Sequence, residues 1–150
     1  MGTAFHIRDI READIEKIHR LEKKAFSDPW GIHGLKESLG QSYTKLFGAW
    51  EKEELLGYAI VYFMADEGEL VRIAVDPCCR RRGVASHLLE ELLRVCRENG
   101  VKRVLLDVRE SNEAAIKLYE RMGFKADGMR KNFYTKPDED AVLMSLEVGN

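Results

Sequence analysis

The chain has 150 residues, of which 45% are hydrophobic and 33% charged, a composition typical of a globular protein rather than a disordered one. This length predicts one domain over residues 1–150 and leaves little room for a second. Lys and Arg number 24 against 26 Asp and Glu, so the formal net charge of -2 excludes binding of a polyanion through overall charge. A phosphate-bearing ligand would need a local basic patch.

The same sequence indicates the compartment and argues against a metal. No apolar run approaches the roughly 18 residues that span a bilayer, and the first residues lack the layout of a signal peptide. Three cysteines, an odd number, predict no disulfide framework and a cytoplasmic location. The adjacent Cys78 and Cys79 are awkward joint ligands, and no zinc-binding spacing occurs, so we expect no metal and no membrane contact.

The first half of the chain predicts a mixture of helices and strands. Ile15, Ile18 and Leu21 recur at helical spacing opposite a polar face. The stretch after this helix is rich in residues that break secondary structure. In chain order we predict a strand over 4–10, a helix over 11–26, a loop over 27–34, a short helix over 35–40, and strands over 44–50, 55–64 and 69–76.

The second half contains the clearest helix of the sequence. Leu88, Leu92 and Val95 form its apolar stripe, and Asn99-Gly100 is a typical helix stop. The predicted elements are a helix over 83–99, a strand over 102–108, a helix from Ser111 or Asn112 to Met122, and strands near 124–134 and 140–148. A strand–helix–strand–helix centre implies at least one parallel crossover, so we predict an α/β (α+β) fold with a mixed sheet.

A basic turn between strand and helix is the strongest candidate for an anion site. The strand ends at Asp76-Pro77, Arg80–Arg82 follow, and Gly83 begins the helix. The first N–H groups of a helix lack partners and carry partial positive charge, and glycine lets a ligand approach the backbone. A pyrophosphate fits such a site. The alternatives are an ordinary solvated turn or a nucleic-acid patch; the negative net charge disfavours the second.

This turn resembles the signature of the GNAT acetyltransferases. Arg80–Ala85 match its pattern of Gln or Arg, two variable residues, Gly, a variable residue, and Gly or Ala, and Ile73–Pro77 match the usual lead-in strand. The resemblance implies the GNAT fold, a mixed sheet of about seven strands with about four helices. It implies acetyl-CoA as co-substrate. The implied contacts to pantetheine are Ile73, Ala74 and Val75, and those to pyrophosphate are Arg81, Arg82, Gly83, Val84, Ala85 and Ser86.

A second stretch resembles the RimI-type subgroup of that family. Residues 106–124 contain Val-Arg-x-Ser-Asn followed by Ala-x-x-Leu-Tyr-x-x-x-Gly-Phe, and Asn132–Tyr134 with Glu139–Ala141 resemble the subgroup's tail. RimI-type enzymes acetylate the N-terminal alanine of a ribosomal small-subunit protein. The resemblance therefore implies transfer to a protein N-terminus, with that protein as partner and no direct contact to nucleic acid.

The reaction requires a base near the amine and a proton donor near the sulfur. An α-amine has a pKa of about 8 and must lose its proton, while the leaving thiolate gains from a donor. By resemblance the donor is Tyr119, unless it is only a core residue. The base position holds Asp107, where RimI-type enzymes have Glu, which is about 1.5 Å longer. Asp107 could instead pair with Arg109 or Arg72, and Glu69 is the alternative base.

The resemblance also implies residues that bind the acceptor and the cofactor arm. Trp30 and Tyr134 would flank the acceptor groove, unless each only packs at a surface edge. Asn112 would cap a helix, bind the pantetheine amide, or do both. We expect direct transfer, because Cys78 and Cys79 lie away from the expected thioester. Small amines or protein lysines as acceptors, and a regulatory CoA-binding module without turnover, are the alternatives.

Overall fold

The computed structural model describes residues 5–148, which contain one seven-stranded sheet in the order β1-β2-β3-β4-β5-β7-β6. The strands are β1 (His6–Asp9), β2 (Thr44–Glu51), β3 (Glu54–Met64), β4 (Glu67–Val75), β5 (Arg103–Arg109), β6 (Lys125–Tyr134) and β7 (Glu139–Glu147). The α-helices are α1 (Ile15–Ala25), α2 (Ile32–Leu39), α3 (Val84–Glu98) and α4 (Glu113–Arg121). The predicted element order and mixed sheet are confirmed. None of the described helices is both long enough and apolar enough to cross a membrane.

The structure differs from the predicted boundaries by one or two residues at most elements and by three or more at the first two helices. The predicted helix over 11–26 begins as a 3-10 turn, Glu12–Asp14, because the Asp14 carboxylate accepts the Arg11 N–H at 2.8 Å. Helix α2 starts three residues earlier than predicted, since burial of Leu35 against α1 outweighs the low helix propensity of Gly34. The predicted first strand includes residue 4, which lies outside the described residues.

The centre of the sheet opens between β4 and β5, its parallel pair. Their pairing covers only Glu67–Leu70 against Arg103–Leu106. The register of β4 against β3 then shifts, leaving Val71 as an extra residue in a β-bulge. A bulge bends and twists the strand that carries it. Beyond the bulge the two strands separate, and within residues 5–148 the remaining half of β4 has no strand partner on its β5 side.

Two apolar layers cover the sheet and fix the helices beside this opening. On one face α3 contributes Leu88, Leu89 and Leu92, all fully buried, and on the other α1 and α2 pack over Trp50. Gly57 of β3 lets the start of α3 approach closely. A Cβ there would lie 2.7 Å from the Ala74 oxygen and 3.1 Å from Val84 Cγ1. The N-terminus of α3 is therefore held against β3 and β4.

One buried hydroxyl in this core should be dispensable. Tyr58 is fully buried, and its hydroxyl has no hydrogen-bond partner among the described residues. A buried polar group without a partner costs about 1–3 kcal/mol. We therefore expect Tyr58→Phe to raise the free energy of unfolding by about 1 kcal/mol in urea titrations. Tyr43→Phe, at a residue 47% exposed, should change it little, and destabilisation by Tyr58→Phe would contradict this account.

Candidate active site

A cavity of about 530 Å³ lies between the end of β4 and the first turns of α3 and α4. Its walls include nine of the ten residues predicted to bind the cofactor, namely Ile73, Ala74, Val75, Arg81, Gly83, Val84, Ala85, Ser86 and Asn112. The Asn112 side chain also accepts the Ala115 N–H at 3.2 Å, so its predicted role as a helix cap is confirmed.

The turn before α3 has a backbone shaped for an anion. Arg81 and Gly83 both have left-handed φ angles, +68° and +80°. Such turns point successive N–H groups into one concavity, and the first N–H groups of α3 add to them. Glycine adopts this φ without strain, which explains its position immediately before Val84. The turn can therefore bind a pyrophosphate through main-chain donors.

Of the two arginines predicted at this cavity, only Arg81 lines it, and two further arginines lie there. Arg82 points to the other side of the turn, where it forms an ion pair with Glu51 of β2 at 2.9 Å. Arg80, Arg81 and Arg121 line the cavity instead. Arg121 comes from the last turn of α4, about 40 residues further along the chain. No local pattern marks this residue, because only the packing of α4 brings it to the cavity.

A second opening, about 360 Å³, lies where β4 and β5 separate. Asp107, Tyr119 and Tyr134 line it. Tyr119 and Asn112 also line the larger cavity, so the two spaces meet at these side chains. Neither Glu69 nor Trp30 is among the lining residues.

Asp107 and Glu69 form a pair of carboxyl groups beside the second opening. Burial raises the pKa of Asp107, although the positive charge of Arg130 opposes the shift. Burial also raises the pKa of Glu69, and the nearby negative charge of Asp107 adds to it. The alternative partners of Asp107 are engaged elsewhere, since Arg72 binds Glu22 at 2.8 Å and Arg109 binds Glu139 at 3.1 Å. The interpretation of Asp107 as half of a strand-end ion pair is therefore wrong.

Two tyrosines face the same space with protonated hydroxyls. Tyr119 is 5% exposed and packs against Phe124, with ring centroids 5.7 Å apart. Burial raises the pKa of Tyr119 well above its usual range, and Tyr134 adds to the shift. Burial and the charge of Asp107 raise the pKa of Tyr134 to about 12. Both hydroxyls are therefore hydrogen-bond donors at neutral pH.

Comparison with known proteins identifies the family. The model of the acetyltransferase (GNAT) family matches residues 15–124. The chain belongs to the GNAT family of acetyltransferases. It is an acetyl-CoA-dependent N-acetyltransferase, and the fold predicted from the resemblance is confirmed.

Individual relatives match this GNAT chain over nearly their whole length. It is 37% identical to a ribosomal protein bS18-alanine N-acetyltransferase of Haemophilus influenzae, covering 93% of this chain and 96% of the relative. It is 34% identical to the protein of the same name from Escherichia coli K12, covering 95% and 97%. The crystal structure of the ribosomal-protein-S18-alanine N-acetyltransferase from E. coli superposes with a TM-score of 0.90 at 32% identity, covering 97% and 95%.

A buried ion pair supports one wall of the second opening, and it was not predicted from the sequence. Glu22 of α1 is fully buried, accepts three hydrogen bonds from the Arg72 guanidinium at 2.8, 3.1 and 3.3 Å, and accepts the Trp30 N–H at 2.8 Å. The Arg72 guanidinium lies 3.7 Å from the Phe26 ring centroid and 5.2 Å from that of Trp30. Arg72 and Phe26 line the opening, whereas Trp30 does not. The available signal was a glutamate next to Leu21 on the apolar stripe of α1.

Two loops meet across the mouth of the opening. The Ser27 hydroxyl donates to the Lys136 carbonyl oxygen at 2.7 Å, which joins the loop after α1 to the loop between β6 and β7. Arg109 donates to the carbonyl oxygens of Thr135 and Pro137 at 2.9 and 3.0 Å. These bonds hold Tyr134 over the end of β5, where its ring lies 4.5 Å from the Arg109 guanidinium.

Proposed function

We propose that the protein acetylates the N-terminal α-amine of an alanine-first protein, a ribosomal protein of the small subunit, in the cytoplasm. The observation that carries this proposal is the opening between β4 and β5, where Asp107 and Tyr119 face a space continuous with the cofactor cavity. Two relatives more than 30% identical over nearly the whole chain are named for acetylation of an alanine on ribosomal protein bS18, which supports this acceptor.

The larger cavity is assigned to acetyl-CoA, which supplies the thioester carbonyl that the acceptor amine attacks. The unpaired side of β4 offers backbone groups to the pantetheine arm beyond the bulge at Val71. The turn before α3 offers N–H donors to the pyrophosphate. Arg80 and Arg121 add positive charge beside it, and Arg82 contributes through its backbone, since its side chain binds Glu51.

Asp107 is assigned as the base that accepts the proton of the amine. It lines the opening and Glu69 does not, which favours Asp107 over the alternative. A carboxyl group whose pKa is raised by burial accepts a proton from an amine, with a pKa of about 8, more readily than an exposed one. Asp is about 1.5 Å shorter than Glu, and one bridging water spans such a difference.

Tyr119 is assigned as the donor to the sulfur of the leaving group. A thiol has a pKa of about 8.5, lower than that of tyrosine, so complete transfer of the tyrosine proton to sulfur is uphill. Tyr119 therefore acts mainly by donating a hydrogen bond as negative charge develops on sulfur. Burial keeps the hydroxyl protonated and excludes competing water.

Direct transfer without an acyl-enzyme fits the placement of the cysteines. Neither Cys78 nor Cys79 lines the opening that holds Asp107 and Tyr119. A hydrogen bond to Asp76, together with Cys79, raises the pKa of the Cys78 thiol to about 11, which keeps it protonated and a poor nucleophile. A double serine variant of the two cysteines that bound acetyl-CoA but transferred nothing would contradict direct transfer.

Asp107→Asn should lower activity and raise stability at the same time. Loss of the base should lower kcat/KM about 100-fold or more with an alanine-first peptide. Burial raises the pKa of Asp107, so the native state binds the carboxyl proton more tightly than the unfolded chain does. The free energy of unfolding therefore falls as pH rises above about 4 and Asp107 ionises in its buried position. The variant should therefore melt at a higher temperature than wild type at pH 7, with a smaller difference near pH 4.

Glu69→Gln is the matched control for the choice of base. If Glu69→Gln abolished transfer while Asp107→Asn left it within threefold, the base would be Glu69.

The proposed acceptor is tested with a panel of amines. Peptides beginning with alanine, peptides with an internal lysine and a blocked N-terminus, and polyamines are incubated with the enzyme and acetyl-CoA. Mass spectrometry then locates the acetyl group. We expect acetylation of the alanine α-amine, and turnover of polyamines with inert alanine-first peptides would overturn the proposal. The acetylated proteome of cells with and without the gene would identify the natural acceptor.

A further inference from the structure

A cluster of metal-binding atoms lies outside the transfer site, in the turn between β4 and α3. Asp76 ends the strand, and Cys78 and Cys79 follow in a 3-10 turn, Pro77–Cys79. The two Sγ atoms are 3.5 Å apart. A carboxylate oxygen of Asp76 and both sulfurs all lie within 4.8 Å of one another. We propose that these three side chains bind one thiophilic divalent metal ion of the zinc class.

The distance between the sulfurs fits chelation of such an ion. Zinc–sulfur bonds of about 2.3 Å at a tetrahedral angle place two sulfurs about 3.8 Å apart. The two sulfurs in this turn are 3.5 Å apart, about 0.3 Å closer than that ideal separation. A small rotation of the cysteine side chains is enough to make up the difference. Adjacent cysteines are generally awkward joint ligands, but this turn brings the two sulfurs to within 3.5 Å of each other.

A disulfide is the competing use of two close cysteines, and the backbone disfavours it. A disulfide needs sulfurs about 2.05 Å apart and Cα atoms at least about 4.4 Å apart. Adjacent residues across a trans peptide have Cα atoms only about 3.8 Å apart. The pair therefore fits a bridging ion better than a covalent bond between the sulfurs.

The turn is held in this shape and is open to an entering ion. The Asp76 carboxylate accepts the Cys78 N–H at 3.1 Å, and the Asp76 carbonyl accepts the Cys79 N–H at 2.8 Å. Cys78 is exposed, whereas Cys79 is buried and lines the acetyl-CoA cavity. Lys24 binds Asp76 at 3.1 Å through a side chain that is mostly exposed, so it can swing away. Binding releases both thiol protons to solvent and leaves one coordination position for water.

The test is a titration of the purified, metal-free full-length protein with Cd²⁺, followed by the thiolate-to-cadmium charge-transfer absorbance and by calorimetry. We expect one ion per chain. Cys78→Ser should weaken binding by more than the roughly 10- to 100-fold that losing an outer-sphere partner costs. Cys79→Ala should do the same, and Asp76→Asn should weaken binding while preserving the absorbance of two thiolates.

Cys96→Ala is the matched control, because Cys96 is a fully buried cysteine of α3 that belongs to the core and not to the cluster. It should bind Cd²⁺ as wild type does. The proposal is overturned if Cys78→Ser binds with unchanged affinity, if Cys96→Ala abolishes the absorbance, or if one ion is bound for every two chains. Because Cys78 is exposed, its serine variant should fold, and a loss of Cd²⁺ binding in that variant can then be assigned to the missing thiolate.

Discussion

Replacing Tyr119 by phenylalanine is expected to lower kcat about 100- to 1,000-fold, the usual effect of losing one donor aimed at a developing negative charge. The change removes only the hydroxyl, so the packing of the ring against Phe124 remains. The affinity for acetyl-CoA should change by less than about threefold, because the assigned hydrogen bond from Tyr119 to sulfur forms mainly in the transition state. Kinetics with an alanine-first peptide and calorimetric titration with acetyl-CoA measure the two quantities.

The matched control for this variant is Tyr58→Phe, which removes a hydroxyl from an equally buried tyrosine that lines neither cavity. It should leave kcat unchanged. If Tyr119→Phe kept more than a third of the wild-type kcat, Tyr119 would be a core residue and the donor would have to be sought at Tyr134. A large loss of acetyl-CoA affinity would instead assign Tyr119 to binding.

Replacing Glu22 by alanine is expected to lower the free energy of unfolding by about 3–5 kcal/mol. The substitution leaves the Arg72 guanidinium with a 14% exposed side chain and no carboxylate at 2.8 Å, and a buried charge without its partner is costly. The Trp30 N–H also loses its acceptor. Because Arg72, Ser27 and Asp28 line the opening and not the larger cavity, KM for the peptide should rise more than KM for acetyl-CoA. Urea titration and steady-state kinetics measure these effects.

Glu91→Ala is the control for the energetic part of this prediction. Glu91 pairs with Arg94 at 2.6 Å on the outer face of α3, where the Arg94 and Glu91 side chains are 53% and 18% exposed. An exposed ion pair contributes at most about 1 kcal/mol, so this variant should lose far less stability than Glu22→Ala. Replacing Glu22 and Arg72 together by Gln and Met should recover part of the stability but not the peptide KM. Equal losses at Glu22 and Glu91 would contradict the assigned role.

The sequence by itself determined the order of the elements and the location of the turn that we propose binds the pyrophosphate. Helix α3 and the turn before it depend on local features: the apolar spacing of Leu88 and Leu92, the run of arginines, and one glycine able to take a φ of +80°. These features depend on residues that are close together in the chain, so they can be recognised from the sequence without a structure. The cap at Asn112 was predictable for the same reason.

The tertiary structure decided which side chains share a site. The bulge at Val71 separates β4 from β5, and this separation, which no local pattern predicts, lets Asp107 and Tyr119 face one space. Long-range packing also paired Arg82 with Glu51, brought Arg121 to the larger cavity and paired Glu22 with Arg72 across 50 residues. Which charged side chains form ion pairs depends on their distance and burial in the folded chain. Their pairing therefore follows from the packing of the sheet and helices and not from sequence spacing.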